Sequence, residues 1–141
     1  MILADVNVLV YALRKDSDKH EPSREWLIGA LAGPENFGYS EFVLSSVVRI
    51  VTHPKIFKSP SGLDEVFEFL DAVREAPASV RVSPGTTHWP LFQQLCREVE
   101  ARGNMVPDAY LAAMAIEQGA RWVSTDRDFA RFPGLRWELP G

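Results

Sequence analysis

The sequence predicts an α/β protein built on a mainly parallel sheet of four to five short strands flanked by helices, and three features lead there. Short apolar runs alternate with amphipathic segments of helical length, Gly and Pro fall between them as punctuation, and acidic residues recur just after the apolar runs. Strands joined through helices call for right-handed crossovers, which set neighbouring strands parallel.

Ile2 to Ala4 is an apolar run that stops at the polar cluster Asp5-Val6-Asn7, after which Val8, Leu9, Ala12 and Leu13 recur at helical spacing. A second helix is expected over His20 to Leu31, with Gly33-Pro34 ending it. Phe37 to Tyr39 reads as a second strand. Ser40 then stands at the N-cap of a helix carrying Val43, Leu44, Val47, Val48 and Val51, closed by His53-Pro54. Leu63 to Val73 forms a fourth amphipathic helix, and Val80 to Val82 a third strand. Thr87 precedes a capped helix expected to end near Gly103, and Pro107-Asp108 starts another, stopped by Gly119 in a left-handed conformation. Trp122 to Ser124 is the fourth strand, Asp126 to Phe132 a turn or short helix, and Arg136 to Leu139 an edge strand.

A chain of 141 residues, 46% hydrophobic, buries one core and is too short for two ordinary domains, so residues 1–141 are expected to form one domain. The net charge of −4 argues against binding nucleic acid through a broad basic surface, while leaving room for a basic rim around an acidic pocket. Cys96 is the only cysteine, so no intrachain disulfide forms. Neither a signal peptide nor a membrane span is readable, which predicts a cytoplasmic chain.

In parallel sheets, ligands collect beyond the carboxyl ends of the strands. Asp5, Asp108 and Asp126 all fall where that crevice is expected. Carboxylates crowded together repel unless a cation lies between them, and hard oxygen donors select Mg²⁺ or Mn²⁺ over zinc. Such a centre can activate water and stabilise charge developing on a phosphodiester, which points to nuclease chemistry. Singly, each acid has a plainer explanation: Asp108 as a helix cap, Asp126 and Asp128 as solvated turn residues, Asp5 as a turn residue. The joint pattern is far more specific than any member.

The segments Asp5-Val6-Asn7-Val8-Leu9-Val10-Tyr11-Ala12, Pro107 to Ala120 and Ser124 to Leu135 together resemble the PIN-domain nucleases, and within them the VapC toxins of toxin–antitoxin pairs. They lie in the family's order and spacing over essentially the whole chain. The resemblance implies a PIN-like three-layer fold and a Mg²⁺- or Mn²⁺-dependent endoribonuclease acting on RNA. It also implies a homodimer inhibited by a small VapB-type antitoxin. The family's acids fall on Asp5, Asp108 and Asp126 as metal ligands. Asn7, Thr125 and Asp128 fall beside them as residues serving substrate or the metal's surroundings. The second family acid is the departure: a Glu usually stands three residues before an Arg, and counting back from Arg49 gives Ser46. Glu41 is five residues earlier, about 140° around a helix, so it either enters the pocket from the first turn as a catalytic acid or caps the helix and leaves three acids.

His20, His53 and His88 show no ligand spacing and are expected at the surface or at caps, so no zinc site is supported. Arg14, Lys15, Arg49, Arg127 and Arg131 are candidate phosphate contacts, with solvated or ion-paired roles as the plainer reading. Trp26, Trp122 and Trp137 belong to apolar patterns and read as core. A receiver or aspartate-nucleophile phosphatase would also gather acids at this edge, but needs a Lys late in the chain. Lys15, Lys19, Lys55 and Lys58 all lie in the first half. The remaining alternative is a PIN-like module, catalytically weak for want of the Glu, that binds RNA or protein.

Overall fold

The computed structural model describes residues 1–141. Five three-residue strands form a single parallel sheet: β1 (Ile2–Ala4), β2 (Phe37–Tyr39), β3 (Ser79–Arg81), β4 (Arg121–Val123) and β5 (Arg136–Glu138). Their order across the sheet is β3-β2-β1-β4-β5, so the α/β expectation is met. β1 lies at the centre. The chain leaves it towards β2 on one side and later returns to β4 on the other, which makes the carboxyl end of β1 the topological switch point.

Six helices flank the sheet: α1 (Val6–Leu13), α2 (His20–Ala32), α3 (Glu41–Val51), α4 (Leu63–Glu75), α5 (His88–Glu98) and α6 (Met105–Glu117). Helix α1 packs against α2 and α3, α3 against α4, and α5 against α6. Buried apolar side chains of the sheet and helices merge into one core, with Leu3, Leu9, Phe37, Trp122 and Phe129 completely enclosed. Trp122 meets Phe129 at 5.4 Å between ring centroids, and Phe129 meets Phe132 at 5.9 Å, so β4 and the 3-10 turn after it (Arg127–Arg131) are bolted together by aromatic packing. Gly38, in the middle of β2, leaves no room for a side chain, because a Cβ there would run into Leu3, Val82 and Met1. Gly119 takes φ +62° and ends α6 in the left-handed conformation its position predicts.

Several boundaries differ from the sequence pattern, each for a local reason. Helix α1 begins at Val6, so the polar cluster after β1 is helix and not turn: the Asp5 side chain accepts the Val6 N–H and caps it. Helix α6 begins at Met105 and takes Pro107 into its first turn, where the missing N–H has no intrahelical partner to lose. Helix α5 stops at Glu98, short of Gly103, and Thr87 does not cap it: its hydroxyl donates to Glu117 at 2.7 Å. Ser40 contributes only its backbone carbonyl to α3. His88 is buried rather than at the surface, its Nε2 2.9 Å from the Tyr110 carbonyl and its ring edge-on to Tyr110. No helix is long and apolar enough to cross a membrane.

Candidate active site

Asp5 occupies the switch point, immediately beyond β1, and is 7% exposed. Its Oδ1 accepts the Val6 N–H at 2.7 Å, and its Oδ2 accepts from Ser124 Oγ at 2.7 Å and from Asn7 Nδ2 at 3.2 Å. These bonds use three of the roughly four acceptor sites of a carboxylate. Burial pushes the Asp5 carboxyl above the ordinary range, the bonds from Ser124 and Val6 pull it back, and the charge of Asp126 pushes it up again.

Ser124, fully buried just past β4, is the hub of this arrangement. Its hydroxyl donates to Asp5 and accepts from Asn7 Nδ2 at 3.2 Å and from the Asp126 N–H at 3.0 Å, which exhausts its bonding capacity. Its carbonyl accepts from Trp137 Nε1 at 3.1 Å, tying the same residue to β5. Asn7 closes the network, since its Oδ1 accepts the Thr125 N–H at 3.3 Å. Thr125 therefore contributes backbone, and the hydroxyl that matters is one residue earlier. The sequence signal for Ser124 is a hydroxyl residue at the carboxyl end of a strand, on the edge where Asp5 also stands.

Asp126 caps the 3-10 turn by accepting the Asp128 N–H at 2.9 Å, and exposed Asp128 pairs with Arg131 at 3.2 Å. Asp108 stands in the first turn of α6, makes no hydrogen bond and caps nothing. Its pKa is raised from 3.8 to about 6, first by burial, then by the charges of Asp5 and Asp126, with Asp128 adding a little and Arg131 opposing. The three predicted acids thus share one electrostatic neighbourhood. Asp5 and Asp108 line a cleft of about 520 Å³ with Phe42, Ser45, Ser46 and Arg49 of α3.

The structure sets Glu41 apart from this cleft, contrary to its placement as a catalytic acid. Its carboxylate pairs with Arg81 at 2.8 Å and Arg74 at 3.9 Å, and it lines a separate groove with Leu44, Phe67 and Leu70. It does not cap α3 either. Ser46, where the family spacing calls for an acid, does face the cleft, but its hydroxyl donates to the Phe42 carbonyl at 3.0 Å. Arg14 likewise stands outside this cleft: buried, it donates to Asp16, the Ser59 carbonyl and Ser61, and covers the Phe57 ring at 4.1 Å.

No three His, Cys, Asp or Glu side chains gather tightly enough to cage an ion. The donor set fits a different kind of centre. Mg²⁺ is ordinarily held by one or two carboxylates with several waters retained, and a carboxylate such as Asp108, whose pKa is raised by the charges of Asp5 and Asp126, is one that such an ion relieves.

A β1-centred parallel sheet with acids from β1, β4 and α6 at its switch point defines a class, and the PIN domain model matches residues 2–135. The chain belongs to the PIN-domain family, and within it groups with the VapC ribonucleases. It is 43% identical over 140 residues to VapC ribonuclease Mb2897 of Mycobacterium bovis, covering 99% of this chain and 95% of that protein. It is 41% identical over 140 residues to ribonuclease VapC25 of Mycobacterium tuberculosis, covering 99% of each. Among solved structures, VapBC2 of Rickettsia felis bound to a promoter DNA fragment superposes with a TM-score of 0.70 at 25% identity, over 99% of this chain and 98% of that one. FitAcB of Neisseria gonorrhoeae shares the fold at a TM-score of 0.66 and 16% identity, over 99% and 98% of the two chains.

Proposed function

We propose that this protein is a divalent-metal-dependent endoribonuclease, the toxin of a toxin–antitoxin pair, acting as one PIN domain. The observation that carries the reading is the convergence of acids from three distant parts of the chain: Asp5 and Asp108 line one cleft, and the charge of Asp126 raises the cost of ionising both. A fold kept only for binding has no use for that repulsion. The names of the VapC relatives support the activity, and the VapBC neighbours support a VapB-type antitoxin as partner. A homodimer and a cytoplasmic setting complete the proposal.

Asp5, Asp108 and Asp126 would hold Mg²⁺ or Mn²⁺, which supplies Lewis-acid stabilisation of the phosphate and lowers the pKa of attacking water. The chain's own groups prepare that geometry. Ser124, Asn7 and the Val6 N–H fix the Asp5 carboxylate in one orientation, so little reorganisation is needed when substrate arrives. Asp108, free of hydrogen bonds, keeps its oxygens open to a ligand, and a bound cation would offset the neighbouring charges that raise its pKa. Arg49 offers a cation to the RNA backbone from the opposite wall.

The test is cleavage of structured RNA by purified protein with Mn²⁺ or Mg²⁺, repeated with EDTA and with Asp108→Ala. Cleavage confined to the metal-loaded wild type is expected. The non-cutting alternative, favoured by Ser46 where relatives were expected to carry an acid, predicts RNA retained intact under every condition.

A further inference from the structure

Phe42 lies in the first turn of α3 and is 51% exposed, yet it lines the same cleft as Asp5 and Asp108. An isolated exposed Phe needs no explanation. This one is held in place: its ring leans on Tyr110 at 5.7 Å and 43°, and Tyr110 is itself fixed edge-on against buried His88 at 4.4 Å. Seven residues further along α3, two full turns and about 10.5 Å of rise, stands Arg49, on the same face and on the same cleft. Arg49 has no carboxylate partner and is the only Lys or Arg lining this cleft. Between the two, Ser45 and Ser46 present hydroxyls whose protons are spent on the Phe42 carbonyl, leaving their lone pairs outward as acceptors.

We propose that this face of α3 is a nucleotide subsite, in which Phe42 stacks an unpaired base and Arg49 takes a backbone phosphate, laying single-stranded RNA across the acids. The inference rests on the ribonuclease reading and adds the element that selects unpaired substrate. A base is available to an aromatic face only when it is out of the helix stack. Stacking is tolerant of base identity, so Phe42 selects strandedness and not sequence. The pre-set Phe42 ring loses little freedom on binding, and Arg49 is the one cationic side chain lining the cleft.

The experiment uses a short mixed-sequence single-stranded RNA carrying 2-aminopurine, titrated into full-length Asp108→Asn protein so that turnover does not consume it. Fluorescence quenching reports stacking. Adding Phe42→Leu, which keeps apolar volume without an aromatic face, is expected to abolish most of the quench and weaken binding about tenfold. Phe42→Trp should restore both. Adding Arg49→Gln should weaken binding and lower its salt dependence by about one phosphate contact while sparing the quench. Unchanged quench and affinity with Phe42→Leu would overturn the subsite, as would a Phe42→Leu protein whose only change is its oligomeric state in size-exclusion chromatography, which would make this face a contact between copies. Loss of quench in Phe42→Leu alongside a wild type that binds but never cleaves would sustain the subsite and overturn the ribonuclease reading instead.

Discussion

The hydroxyl of Ser124 donates to Oδ2 of Asp5 at 2.7 Å, joining residues 119 apart in sequence at the carboxyl ends of two adjacent strands, β4 and β1. Through that one oxygen, the orientation of the switch-point acid depends on the placement of Asn7 and of the Asp126 backbone. Ser124→Ala removes the bond and leaves a buried carboxylate short of a donor, a loss of about 1–3 kcal/mol in stability. It should also lower metal affinity about 10- to 100-fold, the usual effect of removing a group that orients a ligand. Calorimetric Mn²⁺ titration of Ser124→Ala and Ser124→Thr checks this: Thr should recover most of the affinity, and equal affinity in Ala would show that Asp5 needs no orienting.

Asp108 makes the metal-free protein pH-sensitive in a definite direction. It titrates at about 6 in the folded chain against an ordinary 3.8, so the folded state holds the proton more tightly. Between those values the protein gains stability as pH falls, and above about 6 the ionised carboxylate imposes its full cost. In EDTA, Asp108→Asn should melt higher than wild type at pH 7.5, with the gap closing towards pH 4. Thermal unfolding at a series of pH values reads this out; parallel curves for the two proteins would mean that Asp108 is not under charge stress.

Glu41 provides the contrast. It is half-exposed and committed to Arg81 and Arg74 on a different groove. Glu41→Ala should leave the RNA cleavage rate within about twofold and cost no more than about 1 kcal/mol, the range of exposed ion pairs. A loss of cleavage comparable to that of Asp108→Ala, with metal affinity reduced, would put Glu41 back among the catalytic acids.

Arg14 is predicted to matter for folding and not for chemistry. Buried at 8% exposure, it gathers Asp16, the Ser59 carbonyl and Ser61, and sits over the Phe57 ring. Arg14→Ala should lower unfolding free energy by about 2–3 kcal/mol through the lost charged hydrogen bonds and packing. Denaturant unfolding measures it, and metal affinity per folded molecule should stay unchanged.

What the sequence made legible follows from where its signals are local. The strand–helix alternation is written in the spacing of apolar residues, so β1, β2 and all six helices were readable to within a few positions. Asp5 and Asp108 were recognisable because each stands beside an element boundary. Legibility ended where a side chain's role is set by a residue far away in sequence. Nothing near Glu41 announces Arg81, forty positions on. Nothing near Thr87 announces Glu117, and nothing near His88 announces the Tyr110 carbonyl that accounts for its burial. Ser124 is local in position, at the carboxyl end of β4, but its role is not, since its partners Asp5 and Asn7 are at the other end of the chain.

Asp5 and Asp108 in the cleft, with the charge of Asp126 acting on both, are proposed to form a metal-dependent centre that hydrolyses RNA. Its most direct test is the initial rate of RNA cleavage as a function of Mn²⁺ concentration, for wild type, Asp5→Asn and Asp108→Asn. The expected rate saturates with Mn²⁺ in wild type, vanishes in EDTA and falls at least about 100-fold in both variants, the scale on which a metal centre governs such chemistry. A rate independent of Mn²⁺ and equal in all three proteins would contradict it.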